Sequence, residues 1–332
     1  MRTSGKLGHS WRSALSALGI VSMLASPSAV LSQTYPDHPL KIIAPIAAGG
    51  LTDILTREIA SGLSERLGQP VIVENRPGGG GTIGMVAAAK SPPDGYTLVM
   101  VYGGVASVNP VLIPGLPYDT VRDFTPISLV GSFPLLLIAR RDFPARDTRE
   151  LIALVKSKPG IYNYGSAGNA TTSHMTMELF RHATGLEITH VPYKGEAPAL
   201  ADILGGQIDF AFSSMTSVMP YLGSDRLRVL GISTPAPSDL APGVVPVAES
   251  GIPGFNATGW YAVLAPKDTP TAIIARLNET IGKIVTDPQV RAKMASQGVE
   301  LFASTPEGAA RWIADDAQKS RTVIEKAGIK AN

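Results

Sequence analysis

The chain is 332 residues long, with 29 Lys and Arg against 27 Asp and Glu, and it contains no cysteine. That length suits two domains with sizeable cores. The composition excludes a cysteine-linked lipid anchor, a disulfide framework and thiolate zinc sites, and it leaves no basic cluster to grip nucleic acid or an anionic membrane surface.

The first residues set the expected compartment. Arg2, Lys6 and Arg12 make a basic start, Ala14 to Ala25 a short apolar run, and Ser26 to Ser32 a stretch of small residues. That order predicts a secretory signal peptide over residues 1–32, cleaved after Ser32 or, as the alternative, after Ala29. The apolar run falls short of the roughly 20 residues that a spanning helix needs. Cleavage removes three of the 29 basic residues and none of the 27 acidic ones. The expected product is a periplasmic monomer without membrane insertion, and the lack of thiols suits that oxidising compartment.

In chain order, Leu40 to Ile46 is apolar and β-branched, which predicts a buried strand. Thr52 is placed to cap a helix in which Leu55, Ile59, Leu63 and Leu67 recur every fourth position until Gly68. Pro70 to Glu74 reads as a second strand, Thr82 to Lys90 as a short helix and Thr97 to Tyr102 as a third strand. This βαβαβ order predicts a parallel sheet covered by helices.

A second set begins near Phe133, with strands expected at 134–139, 188–191, 208–212 and 227–232 and with Asn163 to Ser166 leading into a loop. Helices are expected between them at 148–156, about 173–184 and 197–204. Pro235 to Pro253 reads as a linker. Gly259 to Pro266 is strand-like, and a helical tail follows. Thr269-Pro270, Asp287-Pro288 and Thr305-Pro306 each set a cap residue before a proline at the first helical position.

Three glycine-rich loops lie between a strand end and a helix start, where open α/β sheets bind ligands and free N–H groups favour an anion. The first, Pro45 to Asp53, offers Gly49, Gly50 and the Thr52 hydroxyl, though a plain tight turn fits it equally well. The second, Tyr164 to His174, is dense in small hydrogen-bonding side chains, more than a cap requires. The third, Glu74 to Gly84, admits a dinucleotide pattern at Gly79, Gly81 and Gly84. It follows the second strand and lacks the acidic residue that the fingerprint places on the next, so no nucleotide cofactor is expected. Nucleophile-elbow, phosphate-loop and paired-histidine metal motifs are missing, and neither catalytic nor metal-binding residues are assigned.

The chain resembles the Bug/TctC family of periplasmic solute-binding receptors that serve tripartite tricarboxylate transporters. The matching segments include Glu74-Asn75-Arg76-Pro77-Gly78, Pro93-Asp94-Gly95-Tyr96-Thr97-Leu98, Asn163-Tyr164-Gly165-Ser166-Ala167-Gly168, His190-Val191-Pro192-Tyr193-Lys194-Gly195 and Gly205-Gly206-Gln207-Ile208-Asp209. The resemblance implies a two-lobed, type II periplasmic-binding-protein (Venus flytrap) α/β fold, each lobe a sheet flanked by helices. One lobe would comprise residues 33–132 and 254–332, the other residues 133–253. It implies a small organic acid or amide ligand, handed to membrane transporter subunits. The ligand would be held by Ala48, Gly49, Thr52 and Asp53 on one side and by Ser166, Ala167, Thr171, Ser173 and His174 on the other, with Tyr102, Gly103 and Ser107 shaping the far end. After Phe212, many relatives carry an acidic residue where this chain has Ser213 and Ser214. Ser213 then lines a site for a carboxylate or small neutral compound rather than an α-amino acid. Two rival readings remain at this stage: an exported α/β hydrolase using Ser166 or His174, and a receptor that feeds a signalling partner.

Overall fold

The computed structural model describes residues 35–330, so the expected signal peptide lies outside the described residues. Among them, no helix is long and apolar enough to cross a membrane. Two sheets organise the chain. The first contains β1 (Leu40–Ala44), β2 (Val71–Asn75), β3 (Thr97–Tyr102), β4 (Phe124–Phe133), β10 (Gly259–Pro266) and β11 (Glu300–Leu301), in the order β11-β4-β10-β3-β1-β2. The second contains β5 (Leu135–Arg140), β6 (Asn163–Ser166), β7 (Thr189–Pro192), β8 (Phe210–Ser214) and β9 (Leu227–Ile232), in the order β7-β6-β8-β5-β9.

The longer helices are α1 (Leu51–Leu67), α2 (Thr82–Ala89), α3 (Thr148–Ser157), α4 (Thr172–Thr184), α5 (Glu196–Leu204), α6 (Thr271–Val285), α7 (Pro288–Ala295) and α8 (Pro306–Ala327). Neighbouring strand residues face opposite sides, so each sheet buries two apolar layers. Ile42, Leu98 and Val263 pack with Leu55 and Ile59 of α1 and Leu277 and Ile281 of α6. On the reverse face, Ile43, Val99 and Ala262 meet Met85 of α2 and Ile313 of α8. In the second sheet, Leu137 and Phe212 pack with Leu151 of α3 and Phe180 of α4, while Leu136 and Ala211 pack with Leu200 and Ile203 of α5. Each such aliphatic side chain contributes about 1.5–3 kcal/mol on burial.

Parallel pairing holds for β1 with β2 and β3, as the sequence order predicts, but β10 runs antiparallel between β3 and β4 and makes the sheet mixed. β4 itself escapes the sequence reading. Its segment FTPISLVGSF interrupts the apolar pattern with Pro126, Ser128 and Gly131. The pairing with β10 shifts register between Val263 and Leu264, next to Pro126, which is how a sheet accommodates a proline inside a strand. The stretch from Pro235 to Pro253 is also more than a linker. Val247 and Ile252 within it, and Phe255 just beyond, are buried in the second core.

The cap signatures divide. Asp287 and Thr305 accept backbone N–H bonds at the starts of α7 and α8. Thr269 instead donates to the Pro266 carbonyl, and α6 opens after Pro270. α1 opens after Gly50 with no side-chain cap, which leaves Thr52 inside its first turn.

The chain passes between sheets twice, through Pro134 after β4 and through residues 233–258 before β10. The two passages are tied together. Ser233 accepts the Leu135 N–H on its Oγ at 2.9 Å and returns its own N–H to the Leu135 carbonyl at 2.9 Å. Beside them, a Cβ added at Gly259 would lie 2.1 Å from the Phe133 ring, so only glycine fits. Gly259→Ala should therefore cost about 1–3 kcal/mol as overpacking. We expect a melting temperature several degrees lower, partly restored by adding Phe133→Leu. An unchanged melting curve contradicts this tight crossing.

Candidate functional site

Loops at the strand ends of the two sheets face one another and enclose two adjoining cavities. The larger, about 850 Å³, is lined by Gly79, Gly80 and Thr82 after β2, by Tyr102 and Gly104 after β3, and by Asn169 to Thr172 before α4. Asn109 also lines it and donates its side-chain amide to the Gly80 carbonyl at 2.9 Å. The smaller, about 80 Å³, shares Tyr102, Gly104, Ala170 and Thr172 with the first and runs inward to Trp260 of β10 and to α8. The glycine loop after β2, with its misleading nucleotide pattern, is thus part of the cleft wall.

In the first loop Ala48 and Gly49 are exposed, and Thr52 is half-buried beside the Tyr261 phenol. Asp53 is buried and has no oxygen left over. Its carboxylate accepts the Gly49 N–H at 2.9 Å, the Arg57 Nε at 3.0 Å and the Asn75 amide at 2.9 Å. Burial opposes the charge, but the Arg57, Gly49 and Asn75 bonds outweigh it and hold the carboxyl below its ordinary range. Both Asp53 oxygens are thus engaged in shaping the loop.

The second loop spends its side chains in the same way. Ser166 Oγ lies 2.7 Å from His190 Nε2 and accepts the Gly168 N–H at 3.1 Å. Ser173 Oγ accepts the Ala167 N–H at 3.0 Å, and Thr171 Oγ1 donates to the Gly168 carbonyl at 2.7 Å. His174 Nδ1 accepts the Ala170 N–H at 3.0 Å, so its proton sits on Nε2. Behind the loop the rings of His174 and His190 stack at 4.0 Å, and His190 stacks on Tyr164 at 4.8 Å. Tyr164 donates to Glu178 at 2.5 Å, and Glu178 is bridged to Arg181.

Burial, and then the neighbouring His190, push the His174 pKa down to about 4, and burial lowers that of His190 as well. Both imidazoles are neutral at pH 7. Thr171 makes no side-chain cap to α4, and Thr172, the first residue of that helix, stands in both cavities, whereas Ser173 and His174 are buried and line neither.

Of the other expected contacts, Tyr102 lines both cavities. Ser107 is fully buried in a π-helical turn, Gly104–Val108, with its hydroxyl unpaired, and it lines neither. Ser213 is buried on β8. Its neighbour Ser214 donates to Glu196 at 2.6 Å, so the acid near this strand end comes from α5. Ala170 and Thr172 were reachable from sequence as the first residues of a helix at a strand end. Trp260 and Lys319 carry no local signal. Among the described residues no group of His, Asp and Glu is arranged to hold a metal ion.

The tripartite tricarboxylate transporter family receptor signature matches residues 55–329. Protein BugT of Bordetella pertussis is 37% identical over 318 residues, covering 95% of this chain and 98% of its own. Among solved structures, R. palustris Rpa4515 with adipate is 32% identical, covers 89% of this chain and 99% of its own, and superposes with a TM-score of 0.75. MatC from Rhodopseudomonas palustris, with bound malate, is 29% identical over 87% of this chain and 100% of its own, with a TM-score of 0.70.

The buried histidines make the second loop sensitive to acid. In the unfolded chain His174 takes up its proton near the ordinary value of about 6.5. The native contribution is complete above that pH and is lost as pH falls toward about 4. Thermal melting between pH 7 and 4.5 should therefore show a shallower decline for His174→Gln, which keeps an acceptor for Ala170 but does not titrate. Equal slopes for the two proteins would refute a neutral His174.

Proposed function

Because the chain belongs to the receptor family of tripartite tricarboxylate transporters, we propose that it captures a small carboxylate in the cleft between its two sheets and passes it, unchanged, to membrane subunits of such a transporter. The periplasm is its proposed site of action, reached by way of the signal peptide. In this reading, residues 35–132 with 254–332 form one lobe and residues 133–253 the other. They close about the two tied crossings, and the liganded form favours the closed state.

The observation that carries the proposal is the second loop. Ser173, His174 and Thr171 are spent on the loop's own backbone, and the start of α4, which has no side-chain cap, meets the cleft at Thr172. The helix dipole favours an anion there. In the first loop, α1 also opens without a side-chain cap, at Gly50 beside the exposed Ala48 and Gly49. Hydrogen bonds to a charged group contribute roughly 1.5–3 kcal/mol each, and a micromolar ligand needs about 8 kcal/mol, so four or five contacts suffice after ordering costs. The ligands of the two relatives, adipate and malate, are of this class.

One contact favours a hydrolase instead, namely Ser166 Oγ at 2.7 Å from His190 Nε2. Yet Ser166 is only 1% exposed, its hydroxyl is engaged by Gly168, and no carboxylate is hydrogen-bonded to His190 among the described residues. A nucleophile needs access and an oriented base. This serine has neither an approach nor an orienting partner.

Titration calorimetry of the mature chain with adipate and malate tests the proposal. One ligand should bind per chain with no turnover. In Thr172→Pro a proline at the first helical position removes one N–H, and Thr171 already has the extended conformation that precedes proline. Affinity should fall about tenfold or more, with an unchanged melting temperature. Consumption of an added ester or amide, without binding of any acid, would establish the enzyme.

A further inference from the structure

The small cavity has a shape and a chemistry that the carboxylate site alone does not need. Its walls include Tyr102, Phe133, Met175, Leu179 and Trp260. At about 80 Å³ it holds about six water-sized spheres, close to the size of one six-membered ring. It adjoins the wide cleft at Tyr102, Gly104, Ala170 and Thr172, the residues the two share. A ligand whose acid group sits at the first turn of α4 has two spaces open to its body, the wide cleft and this narrower one.

The inner end is not purely apolar. α8 turns Asp316, Lys319 and Ser320 toward it, at the three- and four-residue spacing that shares one helix face. Asp316 is occupied, accepting the Trp260 indole N–H at 2.9 Å. The Lys319 ammonium donates to the Asn256 carbonyl, and an ammonium has three donors to place. Burial pushes the Lys319 pKa down in spite of the nearby Asp316, so its charge is poorly solvated. An acceptor oxygen delivered at that end restores what burial removes.

We propose that this cavity takes the ring of an aryl carboxylate, with the acid group held at the start of α4 and an oxygen on the opposite side of the ring accepting from Lys319. The assignment rests on the carboxylate-receptor reading and narrows its ligand class. Flat aromatic walls complement a ring face. A short hydroxy acid leaves the cavity unfilled and sets its hydroxyl against a surface poor in partners.

Calorimetry of the mature full chain with 4-hydroxybenzoate, benzoate, adipate and malate gives the test. 4-Hydroxybenzoate should bind about tenfold more tightly than benzoate, the worth of one hydrogen bond to a charged donor. Lys319→Met should abolish that ratio while leaving benzoate affinity within about twofold. A loss of packing alone moves both acids together, and the ratio separates the two cases. In a Trp312→Phe background, which leaves Trp260 as the tryptophan of the mature chain, the emission of Trp260 should change with the aromatic acids.

If Lys319→Met does not fold, Leu179→Trp, which fills the cavity, replaces it. That variant should lose the aromatic acids and retain adipate. Binding of adipate or malate with no binding of either aromatic acid overturns this proposal and leaves the receptor reading standing. Failure of every acid to bind removes the receptor reading itself, and the aryl site with it.

Discussion

Ala170 sits at φ 60, a left-handed conformation that a side chain disfavours, and its N–H is held by His174 Nδ1 at 3.0 Å. Such a conformation costs of order 1–3 kcal/mol and persists only where the surroundings over-determine it. Here they do. Ser166 is fixed by His190, Ser173 holds the Ala167 N–H, and Thr171 closes on the Gly168 carbonyl. The stacked rings of Tyr164, His190 and His174 support the loop from below. The strain is placed where the loop meets both cavities, so the position of the start of α4 depends on this one arrangement.

The same division of labour runs through the opposite wall. Asp53 is spent on Gly49, Arg57 and Asn75, and Asn109 on Gly80. In both loops the polar side chains hold the backbone in place. The arrangement needs two rigid platforms at a defined separation. Each sheet supplies one, with apolar layers on both faces. The crossings at Ser233 and Gly259 set where one platform ends and the other begins.

Much of this was legible in the sequence because it is local. The fourfold spacing of Leu55, Ile59, Leu63 and Leu67, and the caps at Asp287 and Thr305, are set by neighbours within a few residues. β4 was hidden because a register shift in its pairing with the distant β10, right beside Pro126, accommodates that proline, and no local pattern records it. The loops at Gly49 and Ser166 were correctly placed at strand ends, but the role of their side chains was not readable. A hydroxyl that caps a loop and one that binds a ligand look alike in one dimension. Which it does depends on whether a partner such as His190, 24 positions away from Ser166, already occupies it. Ser107 shows the opposite limit. A turn of π-helix rotates it away from the cleft into the interior, and that insertion has no sequence signature here.

A carboxylate held by backbone N–H groups is recognised through a feature that every residue except proline provides. Such contacts fix the charge and the orientation of the acid but carry little information about the rest of the molecule. Discrimination between one acid and another therefore falls to the surfaces its body touches, which here belong to distant parts of the chain. Tyr102 and Phe133 end strands of the first sheet, Leu179 comes from α4, and Trp260 and Lys319 from β10 and α8. Leu179 and Phe133 approach each other only because the two sheets are tied at their crossings. The walls of the small cavity are thus a property of the two assembled sheets, whereas the start of α4 is set within a single loop.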